Sequence, residues 1–157
     1  MSSDRNLAET AARAWIERFN RDDAAAFADL YAADGVYIDL AFGIERQGKE
    51  FVALLHQRWR GAVSAFNMEA ERVLVDGPVA VVQYKAQGRF DGSPLGTAER
   101  PLLPTMKSFN ARGVVVVEVN QDGLITSTSD YYDRLIMPNG EEPLIRSDSV
   151  LPPPGSR

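Results

Sequence analysis

Leu30-Tyr31-Ala32-Ala33-Asp34-Gly35-Val36-Tyr37-Ile38-Asp39 is the stretch on which the fold turns. Phe27, Leu30 and Tyr31 carry the apolar spacing of a short helix, Asp34-Gly35 reads as a turn, and an alternating segment follows. Val36, Ile38 and Leu40 fall on one face of that strand and Tyr37 and Asp39 on the other, because strand side chains alternate with period two. A helix that gives way directly to a strand points to a chain whose helices and sheet pack as layers.

Upstream, Leu7, Ala11, Trp15 and Phe19 recur at helical spacing, with Ser3 and Asp4 as candidate caps. That stripe ends at Asn20-Arg21-Asp22-Asp23, whose aspartates can cap the short second helix. Downstream, Phe42-Gly43 opens a loop, and residues 48–63 read as a third helix carrying Phe51, Val52, Leu55, His56 and Trp59. Strands are expected at about 66–75, 79–90, 106–120 and 124–137, with Asp76-Gly77, Asp91-Gly92 and Asp122-Gly123 as hairpin turns. Pro94, Pro101 and Pro104 make residues 92–104 an extended loop, and the β-branched run Val114–Val119 suits a central strand covered on both faces. The expectation is an α+β domain over residues 1–140: a cone-shaped barrel of three helices on a curved, mostly antiparallel sheet that encloses a pocket. Residues 141–157, with Pro152-Pro153-Pro154-Gly155, read as a flexible tail.

The 157 residues suit a single domain large enough to bury a core unaided. The formal net charge of −5 argues against a nucleic-acid binder. With no cysteine there is no disulfide, thiolate metal site or thiol nucleophile, and the lone His56 rules out a multi-histidine metal site within one chain. No apolar run approaches the roughly 20 residues of a membrane helix, and the N-terminus lacks the pattern of a signal peptide. A cytoplasmic protein with no cofactor and no membrane partner is expected.

The segment Trp15-Ile16-Glu17-Arg18-Phe19-Asn20-Arg21-Asp22-Asp23 through Leu30-Tyr31-Ala32-Ala33-Asp34 resembles the opening of the nuclear transport factor 2-like superfamily. Gly35-Val36-Tyr37-Ile38-Asp39 keeps step with the ketosteroid isomerases, placing Asp39 at the isomerase general base. Gly123-Leu124-Ile125-Thr126-Ser127-Thr128-Ser129-Asp130-Tyr131-Tyr132-Asp133 is similar to the last strand of limonene epoxide hydrolase and of many SnoaL-like proteins, in which Asp130 matches a cavity carboxylate. The resemblance spans roughly residues 5–137. It departs at the isomerase oxyanion donors, where Trp15 and Val115 stand, and at the hydrolase arginine and second aspartate, where Gln83 and Lys85 stand.

The resemblance implies that Asp39 and Asp130 face one cavity as an acid–base pair, with Tyr37 as a hydrogen-bond donor to substrate. Burial raises a carboxyl pKa and a like charge raises one of a pair further, so one group can act as base while the other stays protonated. Trp15, Phe19, His56, Trp59 and Tyr132 are the candidate substrate-binding residues. Gln83 and Lys85 alternate on a polar strand face, and Glu69, Glu71, Glu141, Glu142, Arg58 and Arg60 read as ordinary surface. The implied function is a cofactor-independent cyclase or isomerase for a hydrophobic oxygenated molecule such as a polyketide, terpenoid or steroid-like compound. The alternatives are epoxide opening and a non-catalytic binding module. A homodimer through the outer sheet face is expected.

Overall fold

The computed structural model describes residues 2–142 and 154–155; most of the expected tail therefore lies outside the described residues. Helix α1 (Ser2–Phe19) is followed by the short α2 (Ala24–Ala28), strands β1 (Tyr31–Asp39) and β2 (Ile44–Gln47), and helix α3 (Lys49–Ala62). Long strands β3 (Val63–Asp76) and β4 (Val79–Phe90) come next. A small ribbon of β5 (Leu95–Gly96) and β6 (Pro101–Leu102) leads to β7 (Ser108–Val119) and β8 (Ile125–Tyr132).

Six strands form one sheet in the order β2-β1-β8-β7-β4-β3. All neighbours are antiparallel except β1 and β8, which run parallel. The sheet is open, with β2 and β3 at its edges, so the architecture is a cone of α+β layers rather than a closed barrel. The helices cover the inner face. Ala8, Ala11, Ala12, Trp15, Ile16 and Phe19 of α1 are buried against inward residues of the sheet such as Val82, Val115 and Val117.

Local chemistry sets most of the boundaries. Asp23 caps α2, its carboxylate accepting from the Ala26 N–H at 3.0 Å. Strand β4 occupies the expected 79–90, and Gly77 turns the β3–β4 hairpin. Other boundaries moved. Ser3 and Asp4 lie inside the first turn of α1 rather than ahead of it. Tyr31 belongs to β1, and Asp34-Gly35 sits within that strand at a register shift rather than in a turn. A Cβ on Gly35 would come within 2.7 Å of the Ile125 carbonyl, so the close approach of β1 to β8 requires glycine there.

Residues 44–47, expected in a loop, form edge strand β2. The 92–104 loop contains the β5–β6 ribbon, and Asp91-Gly92 packs beside the end of α3 instead of turning a hairpin. Strand β8 ends at Tyr132, short of the expected 137. The Val114–Val119 strand is central in the sheet, but only Val115, Val117 and Val119 are buried. Val114 and Val116 face outward and are half-buried.

The floor of the core is a cluster of aromatic rings. Trp15 lies 5.1 Å from Phe19, 5.8 Å from Phe27 and 6.0 Å from Tyr37, centroid to centroid. Its indole N–H donates to the Tyr31 hydroxyl at 3.0 Å, and that hydroxyl meets Thr128 Oγ1 at 2.5 Å. This chain fastens α1 to β1 and β8, with every member buried. Replacing the indole removes both the packing and a buried donor. Trp15→Ala is therefore expected to destabilise the fold by about 3–5 kcal/mol, read as a shift of the denaturant midpoint at unchanged slope.

Candidate active site

The parallel pairing of β1 with β8 sets Asp39 directly beside Asp130. Both side chains fall on the inner face and both are buried. On β1 the inner positions are Tyr37 and Asp39, whereas the more apolar-looking face, Val36, Ile38 and Leu40, points outward.

Each carboxylate is held by a tyrosine from the other's strand. Tyr37, two residues before Asp39, donates to Asp130 Oδ2 at 3.0 Å. Tyr132, two residues after Asp130, donates to Asp39 Oδ2 at 2.7 Å. Asp39 Oδ1 also accepts from the Phe42 backbone N–H at 3.0 Å. The second oxygen of Asp130 accepts from Tyr84 at 2.6 Å.

Tyr84 belongs to β4, and β7 lies between it and β8. Its ring crosses the intervening strand over Gly113, its register partner on β7. A Cβ at position 113 would sit 2.4 Å from both Cζ and Oη of Tyr84, so the absence of a side chain there is what lets the phenol reach Asp130.

Burial is the main cause of the unusual acidities. It pushes the Asp130 carboxyl up to about 7; the bond from Tyr84 works against that, the nearby charge of Asp39 adds to it, and the bond from Tyr37 again opposes it. Asp39 is raised by burial too, with the Tyr132 and backbone hydrogen bonds holding it down in part. The two residues are register partners, and the charge of Asp39 helps to raise Asp130. Tyr37, Tyr84 and Tyr132 are held far above the ordinary phenol range, first by burial and then by the charges of Asp39 and Asp130, and so remain donors.

Above the pair opens a cavity lined by Phe19, Phe42, Leu55, Trp59, Phe66 and Met68 among other apolar side chains, with Tyr37, Tyr132, Asp39 and Asp130 at its polar end. Of the residues singled out from sequence, Asp39, Asp130, Tyr37, Phe19, Trp59 and Tyr132 all line it. The Tyr37 hydroxyl is directed to Asp130, so it orients a carboxylate instead of standing free for a substrate. The Trp59 indole N–H is buried with no partner among the described residues.

Trp15 and His56 do not line the cavity. Trp15 spends its N–H on Tyr31. His56 is fully buried, stacked on Phe27 at 4.8 Å, with Nε2 3.3 Å from the Phe19 carbonyl, and burial lowers its pKa. Both are core residues beneath the site. Gln83 and Lys85 are on the outer face, where Lys85 pairs with Glu69 at 3.4 Å.

Sequence reading missed Tyr84, Arg46 and Arg58. Tyr84 could be placed on the inward side of β4 by alternation, but only Gly113 explains its reach. Arg46 lies on the unexpected edge strand, and Arg58, read as surface, lines the cavity. Among the described residues no three His, Cys, Asp or Glu side chains converge in the manner of a metal site.

The comparisons with known proteins agree with this architecture. A protein of Catenulispora acidiphila with a ketosteroid isomerase-like fold, solved in complex with trimethylamine, is 21% identical over 80% of this chain and 87% of its own, with a TM-score of 0.68. An LEH-like epoxide hydrolase of M. tuberculosis is 24% identical over 87% of this chain and 90% of its own, with a TM-score of 0.64. A protein of Shewanella denitrificans assigned to the SnoaL-like polyketide cyclases is 19% identical over 86% of this chain and 96% of its own, also at 0.64. At these identities the likeness is one of fold. No curated protein matches the sequence. The model of the SnoaL-like domain matches residues 12–128, from the middle of α1 into β8 and across most of the cavity-forming chain, and the protein belongs to the SnoaL-like domain family.

Proposed function

We propose that the chain is a cofactor-independent acid–base enzyme acting on a hydrophobic, oxygenated small molecule, as an isomerase or cyclase. One observation carries the reading: Asp39 and Asp130 stand side by side, buried, in a cavity whose lining is mostly apolar. Two such carboxyls near neutral pH hold one proton between them, a base and an acid in one place. The ionised oxygen takes a proton from a carbon next to a carbonyl. The protonated neighbour supplies a proton or hydrogen bond to the oxygen where charge develops, and the unpartnered Trp59 N–H offers a second donor.

The same pair supports epoxide opening, with an ionised carboxylate drawing a proton from water or an internal hydroxyl while the acid protonates the epoxide oxygen. The fold shared with the M. tuberculosis hydrolase favours keeping that reading. Labelled water separates the two nucleophiles, since only hydrolysis places the label in product.

The outer sheet face supports a homodimer. Leu74, Val81, Val116 and Ile38 lie in one row across it, interrupted by Ser129, and Leu74 is 56% exposed. Ile38, Val81 and Val116 are half-buried, and contact with a second copy would cover them together with Leu74.

Three outcomes are expected. Asp130→Asn and Asp39→Asn each lower turnover by about 100-fold or more; near-full activity in either variant counts against the pair. The second outcome concerns stability. The folded-state Asp130 carboxyl, at about 7, lies above its ordinary 3.8, so the folded chain binds a proton that the unfolded chain has released. The stabilisation is whole below the lower value and drains away as pH rises through the upper one. The melting temperature of Asp130→Asn should accordingly fall less over that window than that of the parent. The third outcome concerns assembly: Val116→Lys should reduce the mass seen by light scattering to the 17.3 kDa of one chain, with an unchanged circular dichroism spectrum. A parent protein already at that mass would rule the dimer out.

A further inference from the structure

Two arginines line the cavity that holds the carboxylate pair, and neither has an anionic partner among the described residues. Arg46 is on edge strand β2, where it pairs with Tyr37 of β1, so its side chain leaves the sheet on the inner face. It is half-buried, and its only hydrogen bond among the described residues is a 3.3 Å contact to the carbonyl of Glu45. Ile44, the neighbouring inward position of β2, stands opposite Asp39. Arg46 therefore lies one pleat repeat, roughly 7 Å along the strand, from the carboxylate row.

Arg58 approaches from the helical side. It sits on α3 next to Trp59, lines the same cavity, and donates one N–H to the carbonyl of Gly96 in the β5–β6 ribbon at 2.9 Å. That bond fixes the guanidinium at the rim and leaves its other donors free. Elsewhere, Arg13, Arg21, Arg89 and Arg112 meet carboxylates, Arg18 is held by the Ala26 carbonyl and Arg134 lies over the Phe42 ring, and none of these arginines lines the cavity with Arg46 and Arg58.

On a chain with five excess negative charges, the cavity carries two guanidinium groups beside its two buried carboxyls, so it offers cationic donors to a ligand. The carboxylates at the polar end are engaged by tyrosines and backbone N–H groups, and no ion pair joins them to either arginine. A guanidinium fork offers parallel donors matched to a carboxylate, which is the chemistry by which such a site recognises a ligand.

We infer that the substrate is an amphipathic acid: an apolar skeleton that fills the aromatic cavity and a carboxylate that seats on Arg46 and Arg58, away from the reacting carbon at Asp39 and Asp130. This rests on the proposed use of the cavity as a substrate site, and it narrows that reading from oxygenated apolar molecules to those bearing an acid group. It also assigns the two arginines as specificity residues that orient the substrate without taking part in proton transfer.

Paired probes test it: aryl acetates from phenylacetate to naphthaleneacetate, each against its uncharged amide, titrated calorimetrically into the full chain at low salt. The acids are expected to bind at least about tenfold more tightly than the amides, as one charge-assisted pair would give. Arg46→Gln and Arg58→Gln should each weaken acid binding and leave the amides unchanged, while Lys85→Gln, on the outer face, should alter neither. Equal affinity of acid and amide in the parent, or a preference that survives in the double arginine variant, would overturn the inference while leaving the cavity a binding site. Failure of every probe to bind would overturn both readings.

Discussion

The parallel pairing of β1 with β8 is the constraint on which the site depends. Parallel neighbours ordinarily need a covered sheet and a long connection, and here the connection runs through nearly the whole fold, from the third helix to the last hairpin. Its register brings two aspartates, distant in sequence, to one level. Two carboxyls so placed and cut off from water cannot both be charged cheaply. The surrounding fold responds with hydroxyl donors from three strands and a backbone N–H, which offset the cost of burial only in part. Burial, with the charge of Asp39 adding to it, holds the Asp130 carboxyl up at about 7.

The aromatic cluster beneath the pair does a different job. Trp15, Phe27, Tyr31 and His56 satisfy one another or the backbone and present no free group to the cavity, apart from the orphaned Nδ1 of His56, which lies within the core. Apolar packing is thus gathered on the helical floor while the buried, hydrogen-bonded carboxyls are gathered above it. The two functions meet at Tyr37, whose ring belongs to the cluster and whose hydroxyl belongs to the site.

How much of this was legible in the sequence follows from range. Period-two alternation put Tyr37 and Asp39 together on one face, and the same rule joined Asp130 to Tyr132; both are local facts. The bounds of β4 and the cap at Asp23 were local as well. The edge strand at 44–47 was not, since Ile44-Glu45-Arg46-Gln47 has little β preference of its own and exists because β1 offers it an edge. With that strand went Arg46. Trp15 and His56 carried the residue types of a binding site but had partners, in Tyr31 and the Phe19 carbonyl, that only three dimensions supply. Tyr84 was invisible as a site residue because its access depends on what another strand lacks.

That last dependence has a consequence for the chemistry of the pair. Position 113 touches no substrate and bears no functional group, yet it decides whether a phenol from two strands away can reach the central carboxylate. An ordinary side chain there would collide with the Tyr84 phenol at 2.4 Å and with the Tyr131 carbonyl of β8 at 2.8 Å, so it would disturb that bond and the strand that carries Asp130. The acidity of the site is therefore encoded outside the site, in an empty space on a neighbouring strand. Filling or clearing that space would change the proton affinity of the buried carboxyl pair without replacing either aspartate.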